Sequence, residues 1–445
     1  MRSVRFFTLT ALVAAIGGLA PLQAASLPRA GFPLQDGDLW VMAGDSITAQ
    51  HLHSNYFEAF CYARYPNLKF AFRNSGVGGH TIPTTLARFD YDIAAWHPTV
   101  VSVELGMNDK GGTATDKFVA NMGTMVERIR GVKARPVIFT ASPVNNGDTL
   151  AKLGGNQRLH EYAVALKDFS AKEGLPFADQ FHALLDLWGK NKPRENLANA
   201  VALLKTAAAD DGVAGVEHLR AFLAAQERSA ERPVSMQGDA VHPGPPGQLM
   251  MAAALLQALG ADGFVSSAAV DAVGKSAEGQ GCKIEALKAD GAKVEFDRLD
   301  ERCPFPIPDD ARAVVAFYPA ILELSQYTLK VAGLPPGSYA LKIGGVPTAM
   351  LTAAELAAGI NLTALAPGRD ANPVVAQMRA ILAAVSAKEG IVGQWRSLSQ
   401  RAHAAGADPA LKDQLSALTR KVEEADAKIR EAATPQKLHF EVAGP

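Results

Sequence analysis

Short apolar runs alternate with amphipathic stretches from Leu39 to Ala178. Leu39 to Ala43, Leu68 to Phe72, Thr99 to Leu105, Pro136 to Ala141 and Leu175 to Ala178 are nearly continuous in apolar residues. Such runs suit strands buried on both faces, as in a parallel sheet, because a half-exposed strand would alternate. The segments between them read as helices. Tyr56 to Arg64 is aromatic-rich and is ended by Tyr65-Pro66. Phe118, Met122, Met125, Val126 and Ile129 share one helical face, as do Leu159, Tyr162, Ala163, Leu166 and Phe169, with Gly174 as the C′ residue. Strand and helix alternate five times, which predicts an α/β unit whose sheet is covered on both sides.

Residues 183–232 break that rhythm with Ala-rich helices, an insertion that is a candidate cap over a cleft, with plain helical padding as the alternative. The apolar helix Gln248 to Leu259 then closes the unit. Beyond Gly263 the period changes. Lys283 to Ala289 and Lys293 to Leu299 alternate around Asp290-Gly291, a hairpin signal. A second hairpin is expected from Tyr327 to Leu334 and Tyr339 to Ile343 around Pro335-Pro336-Gly337. Val374 to Ala432 reads as two or more long helices broken near Gly406 to Pro409, before the strand-like Leu438 to Val442. The expected plan is a main unit over 25–262, an antiparallel β-rich region over 263–372, and a helical region over 373–445 with a terminal strand, packed on the main unit.

Composition adds an address. Arg2 and Arg5, the apolar stretch Phe6 to Leu19 and the site Leu22-Gln23-Ala24 have the form of a signal peptide over 1–24, without a twin arginine. Export by the general secretory route, to the periplasm or outside the cell, is expected, with no stable membrane insertion after cleavage. Losing Arg2 and Arg5 takes the formal charge from −1 to −3, which suggests neither a nucleic-acid binder nor a membrane-surface binder. Three cysteines are too few for a disulfide scaffold; export permits one bridge, with Cys282 and Cys303 as the candidate pair and Cys61 as a buried thiol.

Chemistry accumulates where the strands end. Ser46 follows the first strand, Asn74-Ser75-Gly76-Val77-Gly78-Gly79-His80-Thr81 the second, and Gly106-Met107-Asn108-Asp109 the third; Asp239-Ala240-Val241-His242-Pro243 precedes the closing helix. Loops at the carboxyl ends of parallel strands open on one edge, so these residues can converge. A serine, a base, an acid to orient the base and donors for an oxyanion suffice for acyl transfer.

These four blocks, in this order over residues 36–262, resemble the SGNH (GDSL-type) hydrolase superfamily. The resemblance implies a flavodoxin-like three-layer sandwich around a parallel sheet, and an ester hydrolase. It implies Ser46 as nucleophile, His242 as base and Asp239 as its orienting acid. The Ser46 and Gly79 backbone amides and the Asn108 side-chain amide would bind the oxyanion. No cofactor or metal is implied. Asp45 reads as structural. His51 and His53 line the cleft mouth or form a His-x-His pair that lacks a third ligand. His160-Glu161 opens a zincin-like pattern that Val164 breaks. Trp96 and Trp188 are buried, or else offer sugar-stacking faces.

Polar residues crowd these loops: Gln50, His51, His53, His80, Thr81, Asn145, Asn146 and Asp148. They favour a short acyl group, such as acetyl, on a polar or carbohydrate scaffold. Lysophospholipase or thioesterase activity is the alternative among enzymes, and a catalytically silent glycan-binding protein the alternative outside them.

Overall fold

The five apolar runs form the parallel sheet expected of them. Its strands are β1 (Asp38–Gly44), β2 (Phe70–Gly76), β3 (Val100–Glu104), β4 (Arg135–Phe139) and β5 (Phe177–Ala178), in the order β2-β1-β3-β4-β5. The computed structural model describes residues 31–191, 195–220, 223, 238–316, 318–365 and 370–444; the expected signal peptide lies outside the described residues. The order reverses between β1 and β3, so the loops after these two strands flank a crevice at the switch point.

β2 runs further than its apolar residues suggest. Asn74, Ser75 and Gly76 pair in register with Met42, Ala43 and Gly44. The polar pair is accommodated because Asn74 Nδ2 donates to the Thr48 carbonyl and Ser54 Oγ, and Ser75 Oγ donates to Asp92. The glycine-rich loop therefore starts at Val77, not at Asn74. Helices His53–Arg64, Thr115–Gly131, Gln157–Glu173 and Pro245–Ala258 cover the sheet. Phe118, Met122, Met125, Val126 and Ile129 are all buried, and Gly174 ends its helix in the left-handed region at φ 64°.

The segment expected as an insertion from 183 is in part a sheet-covering helix. Gln180–Asn191 follows β5 directly and puts Leu184, Leu185 and Trp188 into the main core. A further helix occupies Glu195–Ala208, while 192–194 and most of 221–237 lie outside the described residues.

Two more sheets follow. β6 (Phe264–Asp271), β7 (Ser276–Gln280), β10 (Gln326–Ala332) and β13 (Ile360–Asn361) form one, in the order β13-β10-β6-β7. β8 (Cys282–Asp290), β9 (Lys293–Asp300), β11 (Ser338–Ile343), β12 (Val346–Thr352) and β14 (Lys437–Ala443) form the other, in the order β12-β11-β14-β9-β8. The hairpin at Asp290-Gly291 is present. The second expected hairpin is not: β10 pairs with β6 and β13, and β11 with β12 and β14. Both edges of β10 are taken, so Pro335-Pro336-Gly337 carries the chain from one sheet to the other. The β6–β10 pairing is parallel, so the region is mixed rather than purely antiparallel. The Cys282–Cys303 bridge is absent; all three cysteines are free and buried, with Cys282 in the core between the two later sheets and Cys303 in the main core.

Helices Pro373–Ala402 and Ala410–Ala432 share the main core through Met378, Ile381, Val385, Trp395, Val422 and Ile429. Trp395 stacks on Trp96, both buried, which leaves Trp96 no free face for a sugar; Trp188 is buried as well. These helices also cover the open edge of β2. Alternate carbonyls of that edge accept from their cations: Phe70 from Arg430 at 2.7 Å, Phe72 from Lys388 at 2.9 Å and Gly76 from Arg396 at 3.0 Å. Lys388 also bonds both oxygens of the buried Glu58 and pairs with Glu389. No helix among the described residues is long and apolar enough to cross a membrane. Removing Lys388 strands Glu58 inside the protein, so Lys388→Ala should cost about 3–5 kcal/mol in urea unfolding. A loss below about 1 kcal/mol would show that the pair is dispensable to the fold.

Candidate active site

Ser46 begins a four-residue helix, Ser46–Ala49, directly after β1. Asp45 caps it, its Oδ1 accepting from the Ile47 amide at 2.9 Å, which is the structural role expected of it. This helix lies against the end of β2 so closely that a Cβ at position 76 would sit 2.4 Å from the Ala49 nitrogen, so only glycine fits there. The next loop then passes Ser46: a Cβ at Gly78 would lie 3.9 Å from Ser46 Cβ. Gly79 adopts φ 75°, in the region that favours glycine, and is exposed.

Ser46 Oγ lies 2.8 Å from His242 Nε2, and His242 Nδ1 lies 2.9 Å from Asp239 Oδ2. The other Asp239 oxygen accepts from the Val241 and His242 amides, each at 2.7 Å. The His242 ring bond, followed by these amides, holds the Asp239 carboxyl down at about 2. Two contacts fix the loop that carries this pair: the Asn145 amide donates to the Ala240 carbonyl at 2.7 Å, and Gln50 Nε2 donates to the Pro243 carbonyl at 3.2 Å. Asn108 follows β3, and its side-chain amide donates to the His80 carbonyl at 3.0 Å and to Asp45 Oδ2 at 3.4 Å. The structure thus brings Ser46, Asp239 and His242 into one hydrogen-bonded chain and ties Asn108 to the Gly79 loop.

His51 and His53 do not share a ligand position. His51 Nδ1 pairs with Glu389 at 3.1 Å. His53 is fully buried, with Nε2 2.8 Å from Glu104 and Nδ1 2.6 Å from Gln248 Oε1. Burial works to lower its pKa, but Glu104 and Gln248 outweigh it and raise it. Gln248 also donates to Gln50 Oε1 at 2.8 Å. Glu104, His53, Gln248 and Gln50 therefore form a polar chain from β3 to the His242 loop. Sequence reading missed it, because His53 suggested a cleft residue or a metal pair and Gln248 carries no signal at all. Among the described residues no group of His, Cys, Asp and Glu is arranged to hold a metal.

Asp179-Gln180-Phe181-His182 repeats the Asp239-to-His242 geometry. Asp179 Oδ1 accepts from the His182 amide and Oδ2 lies 2.6 Å from His182 Nδ1. Its outer nitrogen meets His160 Nδ1 at 2.9 Å instead of a hydroxyl. An Asp-x-x-His turn is thus a local structure, and position relative to Ser46 decides which copy serves the site.

This serine–histidine–aspartate chain has the order of partners that acyl transfer to a serine requires. Residues 42–192 match the model of the GDSL-like lipase/acylhydrolase family. The match includes Ser46, Gly79 and Asn108 and stops before Asp239 and His242. Among solved structures, BT4096, a gut microbial diltiazem-metabolizing enzyme, is 22% identical, with a TM-score of 0.67 over 93% of this chain and 99% of that one. It shares the fold, the later sheets and C-terminal helices included. Axe2, an acetylxylan esterase from Geobacillus stearothermophilus, is 18% identical over 51% of this chain and 95% of its own, with a TM-score of 0.37. No curated protein matches the chain.

Burial, reinforced by Glu104, pushes the Asp45 carboxyl up to about 7 against the Ile47 hydrogen bond and the charges of His53 and His242. Between its ordinary 3.8 and about 7 the unfolded chain gives up this proton while the folded chain keeps it. Stability at this site therefore falls as pH rises through that window. Asp45→Asn has no such titration, so its melting temperature should gain about 2–4 °C on the parent between about pH 4 and pH 7.5. A constant difference across that range would place the titration elsewhere.

Proposed function

We propose that this chain is a serine ester hydrolase acting through an acyl-enzyme, and that it removes short acyl groups, acetyl foremost, from a polar or carbohydrate substrate. The observation that carries the reading is the unbroken chain from Ser46 Oγ through His242 to Asp239. In this mechanism His242 Nε2 takes the Ser46 proton as Oγ attacks the ester carbonyl, then returns it to the leaving alcohol. Asp239 keeps the Nδ1 proton facing away from the serine and stabilises the imidazolium. The Ser46 and Gly79 amides and the Asn108 amide receive the developing oxyanion. The weaker Asn108 bond, to Asp45 at 3.4 Å, is the one an oxyanion would replace. Water then attacks the acyl-enzyme with His242 as base.

The preference for a polar substrate rests on what borders Ser46. Gln50, His51, His80, Thr81 and Asn145 are partly exposed there. Among the described residues, none of the large exposed apolar side chains, such as Leu150, Leu203, Val273 and Met350, belongs to the loops at 45–52, 77–81, 106–110 or 239–243. That surface suits a hydroxylated scaffold better than an acyl chain long enough for a lysophospholipid. The proposal includes export, carried by the basic and apolar residues of 1–24.

On p-nitrophenyl acetate, Ser46→Ala and His242→Ala should each lower kcat by at least about 10⁴-fold, and Asn108→Ala by about 10²–10³-fold. Equal rates for parent and Ser46→Ala would remove the serine mechanism. Acetate release from acetylated xylo-oligosaccharide should exceed fatty-acid release from lysophosphatidylcholine; the reverse order would favour the lipolytic reading. Expressed with its leader in a bacterial host, the mature protein should begin at Ala25 by N-terminal mass analysis, and a retained Met1 would count against export.

A further inference from the structure

We propose that Arg396, on the long C-terminal helix, is a positioning residue for the loop that carries Gly79, which makes the C-terminal helices a working part of the catalytic centre. The inference rests on the reading of that loop as an oxyanion site.

Arg396 uses its whole fork. Nε and Nη2 bond the two Asp92 oxygens at 2.6 and 2.7 Å, and Nη1 donates to the Gly76 carbonyl at 3.0 Å. Asp92 is also bonded by Arg88 and accepts from Ser75 Oγ at 2.9 Å. Arg88 in turn donates through Nε to His80 Nδ1 at 3.2 Å and through Nη2 to the Gly44 carbonyl at 3.3 Å. Asp92 and Arg88 are almost wholly buried, and burial, which alone would raise the Asp92 carboxyl, is outweighed by Arg396 and Arg88. The loop is therefore gripped at both ends, at Gly76 by Arg396 and at His80 by Arg88. Only Val77, Gly78 and Gly79 lie between, and the two glycines have no side chains with which to anchor themselves. Stacking of Trp395 on Trp96 fixes the turn of helix that presents Arg396.

A structural role in covering the β2 edge would need Arg396 no more than it needs Arg430, which bonds the Phe70 carbonyl at the far end of the same strand. The two variants therefore separate positioning from stability. In the full chain, Arg396→Ala should lower kcat on p-nitrophenyl acetate by about 10–100-fold, the scale of a small misplacement at a reacting centre, with KM held within about threefold. Its amides at 77–80 should exchange hydrogen faster. Arg430→Ala should keep kcat within about twofold and leave those amides as in the parent. Should Arg396→Ala fail to fold, Arg396→Lys, which keeps the charge but cannot span Asp92 and Gly76 together, should show the same loss of kcat and the same faster exchange. Parental kcat in a folded Arg396 variant, or equal losses in the Arg396 and Arg430 variants that follow their melting temperatures, would overturn the proposal. If the parent itself shows no Ser46-dependent turnover, the reading of the function fails, and unchanged exchange at 77–80 would then overturn the positioning role on its own.

Discussion

Helices on both faces of a parallel sheet still leave two edges, and the outward carbonyls of an edge strand need donors as much as its side chains need packing. In this protein that need falls on β2, the strand whose end leads into the active-site loop. Its carbonyls at Phe70, Phe72 and Gly76 are met by Arg430, Lys388 and Arg396 from helices more than 300 residues further along the chain. Each solution creates a second demand, because a cation taken out of water must be paired. Glu58 and Glu389 serve Lys388, and Asp92 serves Arg396; Asp426 on the last helix pairs with Arg73 of β2 itself. The main unit and the terminal helices are consequently one core with a shared ionic seam.

The same seam reaches the chemistry. Gly76 is both the last residue of the covered edge and the point where the backbone must pass within contact of the helix that begins at Ser46. On the other side of Ser46, the Glu104–His53–Gln248–Gln50 chain runs to the Pro243 carbonyl, beside His242 on an otherwise exposed turn. Buried charge on both sides of Ser46 fixes its surroundings, and preorganised dipoles are what the proposed oxyanion site requires. Asp45 bears the electrostatic cost, since it caps the helix that begins at Ser46 in a place where burial and Glu104 both disfavour its charge.

Much of the fold was legible because both of its periods are local. Continuous apolar runs gave β1 to β5 to within a few residues, and the 3.6-residue stripe at Phe118 to Ile129 marked a helix whose whole predicted face is buried. Errors arose where a local signal had a non-local answer. Asn74 and Ser75 looked like loop because their partners, Thr48, Ser54 and Asp92, could not be seen. Pro335-Pro336-Gly337 looked like a hairpin because the competing partners of β10 are far away in sequence.

The sequence by itself determined the strand–helix alternation, the residue types needed for acyl transfer and their order at successive strand ends, since those depend on neighbours along the chain. The Asp-x-x-His spacing alone does not distinguish Asp239-x-x-His242 from Asp179-x-x-His182, which fold into the same turn; the order of the four blocks singled out the first. Only the tertiary structure decided that one imidazole faces a serine and the other faces His160. It alone decided that cations from the C-terminal helices would complete the β2 edge. The physical reason is the same in each case: a hydrogen bond depends on the position of both partners in space, and the spacing of residues along the chain records only one of them at a time.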